Sequence, residues 1–330
     1  MYTKITTLTL VMAAMLTAST VAAETNPLPS WNDGRTKSTI IEFVQAVTDK
    51  TSARYVAPER RIATFDNDGT LWVSHPVYTQ LAFAMDRVRA LATEHPQWKT
   101  KQPFKAVLEN DRAVLAKLTE HDVAEIVMAT HAGMSPQQFE DIVQLWLETA
   151  RHPRFKVRYT ELVYQPMIEL LEYLRANQFK TFIVTGGGVE FVRAFAAKTY
   201  GIPRWQVVGS SIKSKFELVD GKAQLVRLPK IDFIDDGPGK AVGINSHIGL
   251  RPIAAFGNSD GDIEMLEYTD SGEAAHLEMM VHHDDAEREY TYTCDTRIGR
   301  LCKGLELAKN RGWLLISMKN DWARIFAFEK

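Results

Sequence analysis

Four stretches of this chain carry side chains able to do chemistry together. Residues 65–72 read FDNDGTLW, with Asp66 and Asp68 following the apolar run RIATF. Residues 180–188 read KTFIVTGGG, so Thr185 is followed by three glycines. Lys240 lies in GPGKA, and residues 257–262 read GNSDGD, which contains Asn258 and Asp262. Paired carboxylates, a hydroxyl beside backbone amides, a lysine and further hard oxygens are the parts of a site for a divalent cation and a phosphoryl group. A phosphate monoester is a dianion that repels an attacking carboxylate, and its uncatalysed hydrolysis is among the slowest reactions known. A cation such as Mg²⁺ would bridge the nucleophile and the phosphoryl oxygens. Asp66 would then attack phosphorus. Asp68 would protonate the leaving alkoxide and afterwards activate water. Thr185 and Gly186 would hold phosphoryl oxygens, and Lys240 would neutralise charge. Asp66, Asp68, Asn258 and Asp262 are the expected metal ligands, the last directly or through water.

Other uses of these segments fail on spacing. A calcium-binding EF-hand loop needs glycine at its sixth position and a closing glutamate, whereas Gly69 is fourth. Phe191 stands where a dinucleotide loop needs its last glycine. Ala241 replaces the Ser or Thr of a Walker loop. Lys213, Lys215 and Lys230 compete with Lys240, which is preferred because a helix should follow it just before a third strand. Asp260 competes with Asn258 as a ligand. Trp72, His75 and Tyr78 follow the acidic pair and either line a substrate pocket or pack a hinge. His282-His283-Asp284-Asp285 reads as polar punctuation after a strand rather than a metal cluster.

Such residues need a frame. RRIATF, KTFIVT, PIAAF, HLEMMV and WLLISM read as strands alternating with helices, the rhythm of a parallel sheet. All strands of such a sheet end on one edge, where ligands bind. The three glycines are expected to turn the chain into a helix over VEFVRAFAAKTYG, and the segment around VDGK to form a β-hairpin. Residues 76–158 carry four amphipathic helical patterns, too long a stretch for a loop. The fold class is therefore α/β. A core with a central parallel sheet is expected over residues 24–75 and 159–330, with an all-helical segment, 76–158, inserted in it.

This ordered set resembles the haloacid dehalogenase superfamily, in its phosphoserine-phosphatase-like branch. The shared features are a hydrophobic strand followed by DxDGT, a strand ending in Thr, a lysine, and a strand ending in a variant of GDxxxD. The resemblance implies a Rossmann-like core, a helical cap for the insertion, and Mg²⁺-dependent phosphatase chemistry through an aspartyl-phosphate, on a small-molecule phosphate ester. One position departs from the pattern: Asn258 replaces the first aspartate of the last motif, and its amide oxygen brings no charge. Asp68 argues against a dehalogenase, because a halide leaves without a proton. Phosphorylcholine phosphatase and phosphotransferase activities are the alternatives within the superfamily. A non-catalytic phosphate- or metal-binding protein is the alternative outside it. LPSW, FDNDGTLW and VHHDDAEREY also look similar to exported bacterial members.

The 330 residues are 45% hydrophobic and 24% charged with net charge −2, a soluble globular composition without the basic tract of a nucleic-acid binder. The first 23 residues hold Lys4, an apolar stretch, and VAA before Glu24, the layout of a secretory signal peptide. The expected location is therefore periplasmic or secreted, with no stable membrane insertion after cleavage. Cys294 and Cys302 either bridge a short loop or remain free thiols; spacing alone leaves both open.

Overall fold

The computed structural model describes residues 26–329. The expected signal peptide lies outside them, apart from which the chain can be followed from α1 (Arg35–Thr48) into β1 (Ile62–Phe65). Six more strands follow: β2 (Lys180–Gly188), β3 (Val207–Val219), β4 (Lys222–Phe233), β5 (Ala254–Gly257), β6 (Leu277–His282) and β7 (Leu314–Ser317). They form one sheet in the order β4-β3-β2-β1-β5-β6-β7. Every neighbouring pair is parallel except the β3–β4 hairpin. β1 and β5 are short and buried at every residue, as central strands covered on both faces must be. Phe65 and Phe256 stack across them at 4.5 Å.

Helices cover both faces. Between β1 and β2 run α2 (Thr79–Leu91), α3 (Phe104–Glu109), α4 (Arg112–Leu115), α5 (Glu120–His131), α6 (Pro136–Thr149) and α7 (Gln165–Ala176). After β2 come α8 (Val189–Arg193) and α9 (Ala196–Tyr200), then α10 (Pro238–His247) before β5 and α11 (Ile263–Asp270) after it. α12 (Lys303–Arg311) precedes β7, and α13 (Met318–Asp321) follows it. One core joins α1 and α7 to the sheet through Phe43, Val44, Leu170 and Leu171. A second joins α10, α11 and α12 to it through Ile244, Leu266 and Ala308. Each large apolar side chain so buried contributes roughly 1.5–3 kcal/mol.

The inserted helices have a small core of their own, with Val88, Trp98, Phe104, Val107 and Ile126. Reciprocal capping boxes start α5 (Thr119 with Asp122) and α6 (Ser135 with Gln138). The second of the four expected helices is broken. Asn110 adopts a left-handed conformation that ends α3, and the Asp111 side chain caps α4. No helix among the described residues is long and apolar enough to cross a membrane.

Two expectations are corrected. The three glycines do not turn the chain, because β2 continues through Gly188. The following helix is interrupted at Ala194–Phe195, where the Phe195 ring turns to stack on Trp72 at 4.5 Å.

Candidate active site

β1, β2 and β5 are adjacent and parallel, so Asp66, Thr185 and Asn258 emerge on one edge of the sheet. Lys240, in the first turn of α10, reaches the same point. Its Nζ lies 2.6 Å from Asp66 Oδ1, 2.6 Å from Asp262 Oδ1 and 2.9 Å from the Val184 carbonyl. Three ammonium protons thus meet three acceptors. Burial alone would discharge the amine, but Asp262 and Asp66 more than offset it and hold its pKa above the ordinary lysine value. The competing Lys213, Lys215 and Lys230 lie exposed on the hairpin.

Both oxygens of Asp262 are engaged by donors of the chain itself. Lys240 takes one oxygen, and the other accepts from the Asn258 and Ser259 amides at 2.9 Å each and from Ser259 Oγ at 3.1 Å. It anchors Lys240. Asp260, the rival to Asn258, is also committed: its Oδ1 accepts from the Cys302 and Gly304 amides at 2.9 Å.

Asn258 faces the acidic pair. Its Oδ1 accepts from Thr70 Oγ1 at 3.0 Å and lies 3.1 Å from the Asp68 carbonyl and 3.3 Å from Asp66 Oδ2. The amide turned by 180° would donate Nδ2 to all three instead. The pocket therefore suits either an N–H₂ group or a cation shared by the oxygens. Charge favours the second. Asp66, Asp68 and Asp262 carry three formal negative charges against the one of Lys240, and a divalent cation balances the remainder. Burial and then the Asp262 charge push Asp66 well above the usual carboxylate range, and burial raises Asp68.

The loop after β1 is built to present these groups. Thr70 and Leu71 amides both bond the Asn67 carbonyl, and the Gly69 amide bonds the Trp72 carbonyl at 2.7 Å. Gly69 has φ +91°, and a Cβ there would lie 2.3 Å from Asn258 Nδ2, so only glycine fits. Trp72 donates Nε1–H to Asp68 Oδ1 at 3.0 Å. It is fully buried, so of its two expected roles it packs rather than lines a pocket, and it orients Asp68. His75 is likewise packed rather than presented, against Tyr292 with centroids 4.0 Å apart. Tyr78 faces the site, where burial and the charges of Asp68, Asp66 and Asp236 push its phenol up. Thr185 is buried, and its Oγ1 accepts from the Gly187 amide at 3.0 Å, leaving the hydroxyl proton to donate.

One choice left open by the sequence is settled here, and two roles, those of His283 and Gln80, escaped it. Cys294 and Cys302 are bonded, with Cα atoms 4.9 Å apart. The loop they close touches Tyr78 through the Gly299 amide, Leu118 through Arg297, and the last motif through a bond from the Asp260 amide to the Arg300 carbonyl. His283 is neither metal ligand nor plain punctuation. Its Nε2 lies 2.8 Å from the Gly69 carbonyl and its Nδ1 3.1 Å from Glu289, so it braces the acidic loop. Gln80 contacts the glycines after Thr185. The quoted VHHDDAEREY segment flagged the region of His283, but nothing in residue type marked Gln80.

Asp235, just before α10, is fully buried, and neither of its oxygens has a hydrogen-bond partner; the Thr185 amide approaches only loosely. Burial pushes it up to about 7. A raised carboxyl costs nothing below the unfolded pKa, and its cost grows until pH passes the folded one. Asp235→Asn is therefore expected to stabilise the protein by about 2–4 kcal/mol at pH 8.5 and hardly at all at pH 4. Thermal unfolding at both pH values checks this, and equal shifts would contradict it.

The fold and this edge define a class of hydrolase. The family model of haloacid dehalogenase-like hydrolases matches residues 63–267, most of the chain, and the chain belongs to that family. Among solved structures it is similar to a protein of unknown function from Anaerococcus prevotii DSM 20548. The identity is 20% and the TM-score 0.51, with 76% of this chain and 86% of that one covered. A protein of unknown function from Bordetella pertussis Tohama I aligns at 18% identity and TM-score 0.46, over 78% of this chain and 98% of that one. A phosphoserine phosphohydrolase-like protein from Francisella tularensis subsp. tularensis SCHU S4 aligns at 16% identity and TM-score 0.37, over 68% and 88%. The likeness to the first is one of fold. No curated protein matches the chain significantly.

Proposed function

We propose that this is an exported, Mg²⁺-dependent phosphomonoester hydrolase working through an aspartyl-phosphate on Asp66, with the helices of residues 76–158 as its cap. The observation that carries the reading is the buried cluster in which Lys240 holds Asp66 and Asp262 while the Asn258 carboxamide lies against Asp66 Oδ2 and the Asp68 carbonyl. Asp66, the Asp68 carbonyl and Asn258 would hold the metal. When bound, it would screen the substrate dianion from the nucleophile and stabilise charge on the phosphoryl oxygens.

The chain's own residues account for the rest. Asp66 attacks phosphorus as the bond from phosphorus to the ester oxygen breaks. Asp68, whose raised carboxyl favours the protonated form, gives its proton to the departing alkoxide. Its carboxylate then takes a proton from water. The water oxygen attacks phosphorus, and the bond to Asp66 breaks, freeing inorganic phosphate and the Asp66 carboxylate. Thr185 donates its hydroxyl, and Lys240 neutralises charge throughout. The Cys294–Cys302 bond suits an oxidising compartment, which supports export.

The experiment is hydrolysis of p-nitrophenyl phosphate by the chain from Glu24 onward, with Mg²⁺ and with EDTA. Turnover with the metal and its loss on chelation support the reading; no turnover by metal-loaded protein across pH 5–9 contradicts it. Asn258→Asp adds a charge to the ligand set and is expected to lower the half-saturating Mg²⁺ concentration on the order of tenfold. An unchanged metal titration would remove Asn258 from the ligand set.

A further inference from the structure

We propose that Gln80 is the positioning residue through which the inserted helices set the geometry of the phosphoryl-binding glycines. The inference rests on the phosphatase reading above. Against β3, Thr185 pairs with Gly209 but the next paired residue is Gly188, with Ser210. Gly186 and Gly187 are therefore left out of the ladder, bulged between two anchors. One anchor is local: the Gly187 amide donates to Thr185 Oγ1 at 3.0 Å. The other comes from α2, where Gln80 Oε1 accepts from the Gly188 amide at 2.7 Å.

The orientation of that carboxamide is dictated from behind. Gln80 Nε2 lies 3.2 Å from His131 Nε2, at the end of α5. His131 Nδ1 lies 2.8 Å from Thr130 Oγ1, which gives its own proton to the Ile126 carbonyl at 2.8 Å. The Thr130 hydroxyl must then accept, so Nδ1 carries the ring proton and Nε2 is bare. Burial, with Arg227 and Arg87 nearby, lowers the His131 pKa to about 3 and keeps the ring neutral. A bare Nε2 takes a proton from the Gln80 amide nitrogen, which turns the amide oxygen to Gly188. Arg227 Nε, on β4, holds the His131 carbonyl at 2.9 Å.

Packing agrees. A Cβ at position 188 would lie 2.6 Å from Gln80 Nε2. A Cβ at 187 would meet Thr185 Oγ1 at 3.3 Å, Gln80 Oε1 at 3.5 Å and Asp68 Oδ2 at 3.7 Å. The carboxamide thus stands beside the hydroxyl and the proton donor. Donors that must match a transition state gain most from such fixed placement.

The test uses Gln80→Met, which keeps the bulk and loses both bonds, and Gln80→Ala. Both are expected to lower kcat about 10- to 100-fold with KM changed less than about threefold. Inhibition by vanadate, which mimics the transferring phosphoryl group, should weaken by a similar factor, and inhibition by inorganic phosphate should not. Gly188→Ala, whose methyl meets Gln80, should be impaired more than Gln80→Ala, and the double variant should return to the level of Gln80→Ala. Unchanged kcat, equal weakening of both inhibitors, or additive losses in the double variant would overturn the proposal. Wild-type protein without turnover would sink both this inference and the phosphatase reading; active wild type with an indifferent Gln80→Met would sink this one alone.

Discussion

Asp66→Asn is expected to abolish turnover while leaving the fold as stable as before, or more so. The catalytic loss should be on the order of 10⁴- to 10⁶-fold, since removing a covalent nucleophile removes the pathway itself. Stability should move the other way. Asp66 sits in a buried cluster with an excess of negative charge, and its carboxyl is raised by burial and by Asp262. Asparagine removes one of those charges and leaves the bond from Lys240 to Asp262, 2.6 Å long, in place. Metal-free Asp66→Asn should therefore unfold at the wild-type temperature or above it near pH 7, and should lose much of the wild-type protein's thermal response to Mg²⁺. A residual rate within tenfold of wild type, measured in the p-nitrophenyl phosphate assay, would contradict the nucleophile assignment.

Lys240→Met should fail in both respects. The lysine is fully buried and bonds two carboxylates and a backbone carbonyl. Methionine fills the space but leaves Asp66 and Asp262 facing each other without a cation. Removing one partner from a buried ion pair costs about 3–5 kcal/mol. In a chain of this length that lowers the melting temperature on the order of 10 °C. The direction with pH follows from Asp66. Its folded pKa is raised and rises further without the lysine, so the deficit is small at low pH and grows as pH climbs. Mg²⁺ should recover part of the lost stability but not the activity, because the metal supplies charge without the lysine's bond to the nucleophile. A melting temperature within 2 °C of wild type at pH 8, read by calorimetry, would show that the cluster is not the charge balance described here.

The sheet and the edge on which its strands end were legible because they rest on local signals. Short apolar runs bounded by turn residues give strands, and parallel strands deliver Asp66, Thr185 and Asn258 to one edge. Lys240 was legible because a helix start placed it near the third strand. What was not legible depends on partners far apart in the chain. Gln80 and Gly188 are 108 positions apart, and His283 and Gly69 are 214 apart. Nothing local says that three glycines stay in a strand because a side chain from an inserted helix lies against the last of them. The place of Trp72 after the acidic pair suited a pocket wall or a packed hinge equally, and only the fold shows its indole turned inward to hold Asp68. Asp262 had the right spacing for a ligand, and what its spacing did not tell is that the tight turn at Asn258–Ser259 directs two amides onto one of its oxygens. In each case residue type marked the neighbourhood, and hydrogen-bond saturation decided the role.

The most direct test is chemical trapping. Metal-loaded enzyme turning over a phosphomonoester is quenched and reduced with borohydride, which converts an acyl phosphate on an aspartate to homoserine. Peptide mass spectrometry should find homoserine at position 66, dependent on substrate and Mg²⁺. Undiminished turnover with aspartate unmodified at position 66, or with the modification at another carboxylate, would contradict the account.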